Sequence, residues 1–298
     1  MTCEVAKSPP HVYDSAGFDR AVELRRDEAA LEALRRTPSA RLLLLHGLRV
    51  PVRPAAGGWR LSFLPLREVD ARSLEALVFL GRDRSGPIFA ASTPHPRAGA
   101  VHLELREVGA TLPRIEAGIA ALARALLHWH ARHRHCGACG HPTAVREGGH
   151  LRRCRSCGLD VFPRTDPAII VLVVRGAHCL LARAPRFPPG MYSTLAGFVE
   201  PAESLEAAVR REVREEVGLE LDGLTYVSSQ PWPFPQSLMI GFRARAREGP
   251  LHIDREELVD ARWFTRAELL DAERRPVRLP PPDSIARYLI DSWLCAGA

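Results

Sequence analysis

The chain of 298 residues is 46% hydrophobic and carries a formal net charge of +6 at pH 7. This length predicts two or three domains, each with a hydrophobic core of its own. The apolar run at 42–45 is too short to cross a bilayer, and residues 1–10 lack the apolar stretch of a signal peptide. We therefore expect a cytoplasmic protein with no membrane partner.

The first predicted domain, residues 1–110, contains no motif that indicates a particular chemistry. Short apolar segments at 41–45, 59–64 and 86–91 are broken by Pro and Gly, and they predict strands. Residues 74–80 are predicted to be helical. The first domain is therefore expected to be small and rich in strands.

A predicted connecting helix over 111–131 leads into a predicted zinc ribbon over 132–162. Apolar side chains recur at helical spacing in the first of these segments. The second contains two Cys-x-x-Cys pairs, and four thiolates close a tetrahedral Zn²⁺ site that leaves no position open for water or substrate. Such a site is structural, and a pair of redox dithiols is the alternative. The four predicted zinc ligands are Cys136, Cys139, Cys154 and Cys157.

Much of the positive charge is concentrated in and just before the predicted zinc ribbon. A basic surface there would bind nucleic acid or a nucleotide phosphate, and a solvated linker is the alternative. The residues concerned are His128, His130, Arg132, His133, Arg134, His135, Arg146, Arg152, Arg153 and Arg155.

The last predicted domain, residues 163–298, alternates apolar strands with helical segments. The aliphatic run at 168–174 is typical of a strand that is buried on both faces, and 179–182 is its predicted hairpin partner. Further strands are predicted near 224–228, 238–245 and 257–264, with a helix over 284–294. Strands on both sides of a helix favour a mixed sheet sandwiched by helices.

A helix is predicted from Ser204 to Val217, because the segment lacks Pro and Gly and Gly218 follows as a C-terminal cap. Valines at 209, 213 and 217 form one stripe, and three glutamates occupy an adjoining arc. Clustered carboxylates at the edge of a core are suited to Mg²⁺ or Mn²⁺, which take oxygen ligands. A solvated face with ion pairs is the alternative. The glutamates are Glu212, Glu215 and Glu216.

A proline-rich segment, SQPWPFPQS, occupies residues 229–237. Its three prolines stiffen the backbone and fix the directions of Trp232 and Phe234. Rigid aromatic rings beside a phosphate-cleaving site would stack on a nucleobase or a nicotinamide. An ordinary turn whose Trp belongs to the core is the alternative.

The segment from Gly197 to Leu219 resembles the Nudix box, the signature of hydrolases that cleave a nucleoside diphosphate linked to another moiety. Its fixed positions include Gly197, Glu203, the Arg-Glu-x-x-Glu-Glu run that begins at Arg211, and Gly218. The resemblance implies that Glu212 and Glu216 bind catalytic metals and that Glu215 is a ligand or the base. It also implies that Arg211 orients a carboxylate and that Glu203 supports the structure.

The zinc ribbon and SQPWPFPQS together resemble the NADH pyrophosphatase subfamily of Nudix hydrolases. This resemblance implies an α+β protein, in which a Nudix α/β/α sandwich with a mixed sheet follows a four-cysteine zinc ribbon and a small strand-rich domain. The implied activity is hydrolysis of NADH, and less well of NAD⁺, to a nicotinamide mononucleotide and AMP. A homodimer that requires Mg²⁺ or Mn²⁺ is implied as well.

The same resemblance implies further site residues. The carbonyl of Ala196 and the side chain of Glu257 complete the catalytic metal set. Phe198 stacks on the nicotinamide, and a loop together with Ala286 forms the substrate pocket. The loop residues are Gln230, Pro231, Trp232, Pro233, Phe234, Pro235, Gln236 and Ser237.

Two positions depart from the subfamily pattern. Gly149 and Phe162 replace a Glu and a Tyr that members use in the ribbon, and Glu147 is a substitute for the first.

Two other functions stay open. One alternative is that the main substrate is an NAD-capped RNA. An alternative of another class is a zinc-ribbon regulator that binds nucleic acid and whose Nudix domain is inactive.

Overall fold

The computed structural model describes residues 11–70, 74–96, 99–273 and 275–296. The chain divides into two compact units. The N-terminal unit comprises residues 12–165 together with the short segment 232–236. The C-terminal unit comprises 166–231 and the chain from Ser237 onward, together with His11. Among the helices of these ranges, none combines the length and the apolar character needed to span a membrane.

The N-terminal unit contains ten strands among its described residues, arranged in three sheets. The sheet orders are β4-β1-β6-β5, β3-β2-β7 and β10-β9-β8. The strands are β1 (Arg41–His46), β2 (Val50–Ala55), β3 (Gly58–Leu61), β4 (Leu64–Pro65), β5 (Val78–Asp83), β6 (Gly86–Thr93), β7 (Val101–Leu103), β8 (Thr143–Arg146), β9 (Leu151–Cys154) and β10 (Asp160–Val161). Its helices are α1 (Glu28–Arg36), α2 (Leu105–Val108) and α3 (Arg114–Arg132).

The four-stranded sheet of this unit is covered by a helix on each face. Successive residues of the central strand β1 point to opposite faces, so Leu43 and Leu45 pack in the cluster that contains α3. Leu42 of β1 packs with Leu31 of α1 in the cluster on the other face. The predicted strand-rich domain is therefore confirmed, and α3 confirms the predicted helix that precedes the ribbon.

The prediction of a helix over residues 74–80 is wrong. Strand β5 begins at Val78 and pairs in antiparallel fashion with β6. Its first four residues are fully covered, including Phe79 and Leu80 on opposite faces. Burial on both faces stabilises a strand in the middle of a layered domain, and this packing outweighs the weak helical preference of the segment.

The C-terminal unit is built on one mixed six-stranded sheet. Five strands follow the order β14-β15-β11-β12-β16, and β13 pairs with β11. Strands β11 and β15 are parallel, whereas β11 and β12 form the predicted antiparallel hairpin. The strands are β11 (Asp166–Arg175), β12 (His178–Arg183), β13 (Leu195–Phe198), β14 (Leu221–Trp232), β15 (Ser237–Ala246) and β16 (Asp260–Thr265). The helices are α4 (Leu205–Val217), α5 (Arg266–Leu270) and α6 (Ile285–Cys295).

Strand β11 shows why this sheet is covered on both faces. Ile169 and Val171 pack in the cluster that contains the valines of α4. Ile170 and Leu172 pack in the cluster that contains α6. A continuous aliphatic run is needed because every residue from Ala168 to Val173 is buried. The predicted α/β/α sandwich is confirmed, and it places α4 against one face of the sheet.

Candidate active site

Helix α4 carries the acidic cluster. Ser204 caps its N-terminus by accepting a hydrogen bond from the Ala207 amide, and Gly218 ends it in the left-handed region at φ 70°. The stripe of valines is buried, and two of the three glutamates are buried beside it. Glu212 and Glu216 are 9% and 7% exposed, whereas the Glu215 side chain is 58% exposed. The helix therefore presents two shielded carboxylates and one that faces solvent.

Gly197 of β13 lies directly against the carboxylate of Glu212. A Cβ atom at this position would stand 1.9 Å from Cδ of Glu212 and 2.0 and 2.2 Å from its two oxygens. Any side chain at this position would force the Glu212 carboxylate to move away. The glycine of the motif is therefore required by close approach of the carboxylate to the strand backbone.

Arg211 connects the loop before α4 to the acidic cluster. Its guanidinium donates two hydrogen bonds to Glu203, at 2.8 and 2.9 Å. It also donates to Glu212 at 2.8 Å, to Glu215 at 3.1 Å and to the Phe198 carbonyl at 2.9 Å. The bidentate hydrogen bonds of Arg211 hold the pKa of Glu203 down to about 2. Arg211 thus holds two carboxylates of the cluster and the end of β13 in fixed positions.

Glu216 is the carboxylate that the protein itself leaves uncompensated. Its Oε2 atom is buried and finds no hydrogen-bond donor among the residues that the structure describes. Burial, followed by repulsion from Glu212 and Glu257, raises its pKa to about 8. Burial also raises the pKa of Glu212. An unpartnered buried oxygen among like charges fits a hard divalent cation, which supplies the missing positive charge.

Glu257 reaches this cluster on a loop that docks onto the end of α4. The amides of His252 and Asp254 donate to the carbonyls of Val217 and Glu216, each at 3.0 Å. Glu257 is exposed and raises the pKa of both buried glutamates. Within the described ranges, only the four cysteines bring three or more metal-binding atoms within 4.8 Å of one another, so the three carboxylates are more widely spaced.

Strand β13 places two further predicted residues beside the acidic helix. Ala196 pairs with Ile170 of β11, and its half-buried side chain packs against the cluster formed with α6. Phe198 pairs with Ala168 and is 61% exposed. An exposed aromatic ring next to a helix of carboxylates is available for stacking on a flat ligand.

The proline-rich segment is divided between the two units. Gln230 and Pro231 belong to the C-terminal unit, and Gln230 is fully buried. Residues 232–236 belong to the N-terminal unit. Ser237 is buried at the start of β15, and Ala286 is buried in the first turn of α6.

Within the N-terminal unit, aromatic and arginine side chains hold the turn at 232–236. Tyr13 makes edge contacts with the rings of Trp232 and Phe234, at centroid distances of 5.8 and 5.3 Å. Arg124 donates to the carbonyls of Pro233 and Leu48, at 2.9 and 2.8 Å, and lies 5.2 Å above the Phe234 ring. Both rings are half-buried and pack against the core of this unit.

The four cysteines of the ribbon come together in the N-terminal unit. Their Sγ atoms all lie within 4.8 Å of one another, and those of Cys139 and Cys154 are 3.4 Å apart. Tetrahedral Zn²⁺ with bonds of about 2.3 Å would separate its sulfurs by roughly 3.8 Å. Amide hydrogen bonds, first that of Cys157, lower the pKa of Cys154 to about 6 and favour the thiolate that zinc requires. The structure thus brings together the four predicted ligands in an arrangement that fits structural Zn²⁺.

Tertiary structure removes much of the basic run from the surface. His130 and Arg152 are buried and hydrogen-bonded to each other at 2.9 Å. Arg134 pairs with Glu75, and Arg153 pairs with Asp160 at 2.6 Å. Three arginines of the run are exposed and form no ion pair with the described residues: Arg132, Arg146 and Arg155.

The structure explains the first of the two departures in the ribbon. Gly149 is buried at φ 92°, and a Cβ there would stand 2.9 to 3.0 Å from Val78, so Glu does not fit. Glu147 pairs with Arg26 at 3.2 Å. Phe162 is 63% exposed, and its ring lacks the hydroxyl that Tyr would have.

One charged residue near the cluster has no signal in the sequence. Arg186, in the loop between β12 and β13, opposes the rise in the pKa of Glu216. It belongs to no motif and follows no periodicity, so only the course of the loop brings its charge toward the carboxylates.

Three family models match consecutive parts of the chain. The model of the NUDIX domain matches residues 164–284, and that of the NADH pyrophosphatase zinc ribbon domain matches 131–162. The model of the NADH pyrophosphatase-like rudimentary NUDIX domain matches 39–129. That last match agrees with the layered sheet of the N-terminal unit.

Curated relatives share this arrangement. NAD-capped RNA hydrolase NudC of Deinococcus radiodurans is 45% identical over 225 residues, which are 74% of this chain and 78% of the relative. An NAD-capped RNA hydrolase of Macaca fascicularis is 46% identical over 193 residues, which are 60% of this chain and 42% of that longer protein. A solved Nudix hydrolase of Nitrosomonas europaea gives a TM-score of 0.39 at 20% identity, over 44% of this chain and 77% of its own. The three family models and the match over most of the Deinococcus protein place the chain in the NADH pyrophosphatase subfamily of the Nudix hydrolases.

Proposed function

We propose that the protein hydrolyses the pyrophosphate bond of NADH, and of NAD⁺, to a nicotinamide mononucleotide and AMP. The observation that carries this proposal is the buried carboxylate oxygen of Glu216, which has no hydrogen-bond partner among the described residues. The negative charges of Glu212 and Glu257 repel the charge of this carboxylate. A protein maintains such a cluster at a cost in stability, and a function that needs bound cations accounts for it.

The carboxylates of Glu212, Glu216 and Glu257 and the carbonyl of Ala196 would hold catalytic Mg²⁺ or Mn²⁺. When bound, such a cation neutralises charge on phosphoryl oxygens and lowers the pKa of water. Arg211 keeps the Glu212 carboxylate against Gly197 through its 2.8 Å hydrogen bond. The ligand atoms are thereby fixed before substrate binds.

Glu215 would accept the proton of the attacking water. Its side chain is 58% exposed, so it can exchange that proton with solvent. Arg211 donates to it at 3.1 Å and orients its carboxylate. A solvent-facing glutamate beside buried ligands separates proton transfer from metal binding, since the two tasks fall to different side chains of one helix.

The ring of Phe198 would stack on the nicotinamide. It is exposed, and its backbone carbonyl is held by Arg211 at 2.9 Å. Stacking would orient the dinucleotide with its pyrophosphate over the acidic helix. The contributions of Ala286 and of residues 230–237 to substrate binding stay predictions, as do the homodimer and the cytoplasmic location.

A second candidate substrate is the NAD cap of an RNA. The relatives from Deinococcus and Macaca are both named NAD-capped RNA hydrolases. Competition between NADH and a capped RNA over a range of salt concentrations would separate the two substrates, because phosphate contacts make RNA binding strongly salt-dependent. The intact set of glutamates argues against an inactive regulatory domain.

Product analysis tests the proposed function. Incubation with NADH and Mg²⁺ or Mn²⁺ is expected to yield AMP and reduced nicotinamide mononucleotide in equal amounts. Glu216→Gln keeps the shape of the side chain and removes its charge, so turnover should fall by orders of magnitude while folding and zinc content are retained. Cleavage at a bond other than the pyrophosphate, or unchanged turnover in the variant, would refute the proposal.

A further inference from the structure

The side chain of Gln230 is completely enclosed in the C-terminal unit. It is 0% exposed, although it belongs to the segment from which the resemblance expects substrate contacts. Its Nε2 donates to the Asp283 carbonyl at 2.8 Å, and its Oε1 accepts from the Ile285 amide at 2.7 Å. Donor and acceptor are both used by backbone groups, so the orientation of the carboxamide is unambiguous.

These two hydrogen bonds anchor the beginning of α6. The first amides of a helix have no partner within the helix. Ser284 caps the Arg287 amide, and Gln230 supplies the acceptor for the amide of Ile285, the first helical residue. Gln230 reaches this amide from strand β14, so the start of the helix is tied to the sheet.

Side-chain packing reinforces this connection. Gly241 of β15 leaves room for Ile285, since a Cβ there would stand 2.9 Å from Cδ1 of the isoleucine. Ile285 and Ala286 belong to the buried cluster against which Ala196 packs. The start of α6 therefore packs on the sheet face toward which Ala196 of β13 points, and β13 also carries Gly197 and Phe198.

We propose that Gln230 is a positioning residue: its carboxamide fixes the start of α6 and thereby the packing behind β13. The kinetic part of this proposal rests on the proposed hydrolysis of NADH. The structural part concerns only Gln230, the backbone from Asp283 to Ile285 and the helix that follows.

Two substitutions separate positioning from substrate contact. Gln230→Met fills nearly the same space and removes both hydrogen bonds. Gln230→Glu keeps an acceptor for Ile285, and when protonated it also donates to Asp283. Ser229→Ala, on the neighbouring and half-buried residue of the same strand, is the control.

The full-length protein is used for two measurements, hydrogen exchange at the Ile285 amide and the steady-state kinetics of NADH hydrolysis. In Gln230→Met we expect exchange to accelerate about 5- to 30-fold, the range for losing one or two hydrogen bonds, and kcat/KM to fall by a similar factor. Gln230→Glu should show the kinetic defect at pH 8 and recover at pH 6, because burial favours its neutral form. Ser229→Ala should match the wild type in both measurements.

Several results would overturn the positioning role. A raised KM with unchanged Ile285 exchange would mean that Gln230 contacts the substrate directly. Faster exchange with wild-type kinetics would mean that the anchor serves stability alone. A wild-type protein that hydrolyses no dinucleotide would refute the proposed function. In that case the role of Gln230 would be tested by hydrogen exchange and by the affinity for Mn²⁺, measured by calorimetry. Gln230→Met should lower the Mn²⁺ affinity, and an unchanged affinity would contradict the positioning role.

Discussion

Replacing Gly197 by Ala should inactivate the enzyme and leave its fold intact. The added Cβ would lie 1.9 to 2.2 Å from the three carboxylate atoms of Glu212. Ordinary contacts between heavy atoms are about 3.5 to 4.0 Å, so the carboxylate must retreat by roughly 1.5 Å. This movement is incompatible with the 2.8 Å hydrogen bond from Arg211. The backbone is not the obstacle, because Gly197 has no positive φ.

The expected magnitudes follow from this displacement. Misplacement of a catalytic group by about 1 Å can cost about 100-fold in rate, so kcat/KM for NADH should fall at least that far. Overpacking should lower the free energy of unfolding by about 1 to 3 kcal/mol. Mn²⁺ affinity, measured by calorimetry, should fall as well, because one carboxylate ligand has moved.

Two further variants sharpen the test. Gly249→Ala is the matched control, since a Cβ there meets nothing within 4 Å. Adding Glu212→Ala to Gly197→Ala removes the clash, so the double variant should regain stability without regaining activity. If Gly197→Ala hydrolyses NADH and binds Mn²⁺ as well as Gly249→Ala does, the close approach of the carboxylate is not needed for catalysis and the reasoning fails.

Three other predictions concern the N-terminal unit. Cys154→Ser should lose zinc and have a lower melting temperature, because a closed zinc site contributes folding energy. If elemental analysis finds the zinc retained and the variant is fully stable, the site is not structural. Arg124→Leu should lower the free energy of unfolding by about 3 kcal/mol in chemical denaturation, because two hydrogen bonds from a cation are lost. A double-mutant cycle with Phe234→Leu should show a coupling energy of about 1 kcal/mol, and strictly additive effects would mean that the contact between the cation and the ring is irrelevant. Burial lowers the pKa of His150 from 6.5 to about 4, so the unfolded chain gains a proton first and stability should fall as the pH drops from 6.5 toward 4. His150→Gln keeps a donor for the Phe79 carbonyl and should flatten this dependence in zinc-saturated protein; parallel curves would refute the assignment.

Local patterns in the sequence were sufficient for the acidic helix and the zinc ligands. Ser204 and Gly218 mark the ends of α4 within one residue of the predicted bounds. The spacing of the valines orients the helix because a regular helix repeats every 3.6 residues. The spacing of the cysteines predicts a zinc site because short knuckles bring sulfur atoms together without help from the rest of the fold.

The shielding of individual carboxylates and the role of Gly197 were decided by tertiary structure. The sequence places Glu212, Glu215 and Glu216 on one arc, and only packing against the sheet buries two of them and exposes the third. Gly197 is distant in sequence from Glu212, so no periodicity relates them. Their close approach exists because α4 packs against β13.

The sequence by itself thus determined the family, the acidic helix and the zinc ribbon of this protein. Tertiary structure alone decided that Gln230 is buried beneath the start of α6 and that Trp232 and Phe234 pack in the N-terminal unit. The sequence motif places these three residues side by side as one segment. Their environments differ because each environment is built from residues far away in the chain, and local sequence patterns carry no information about which distant groups fold against them.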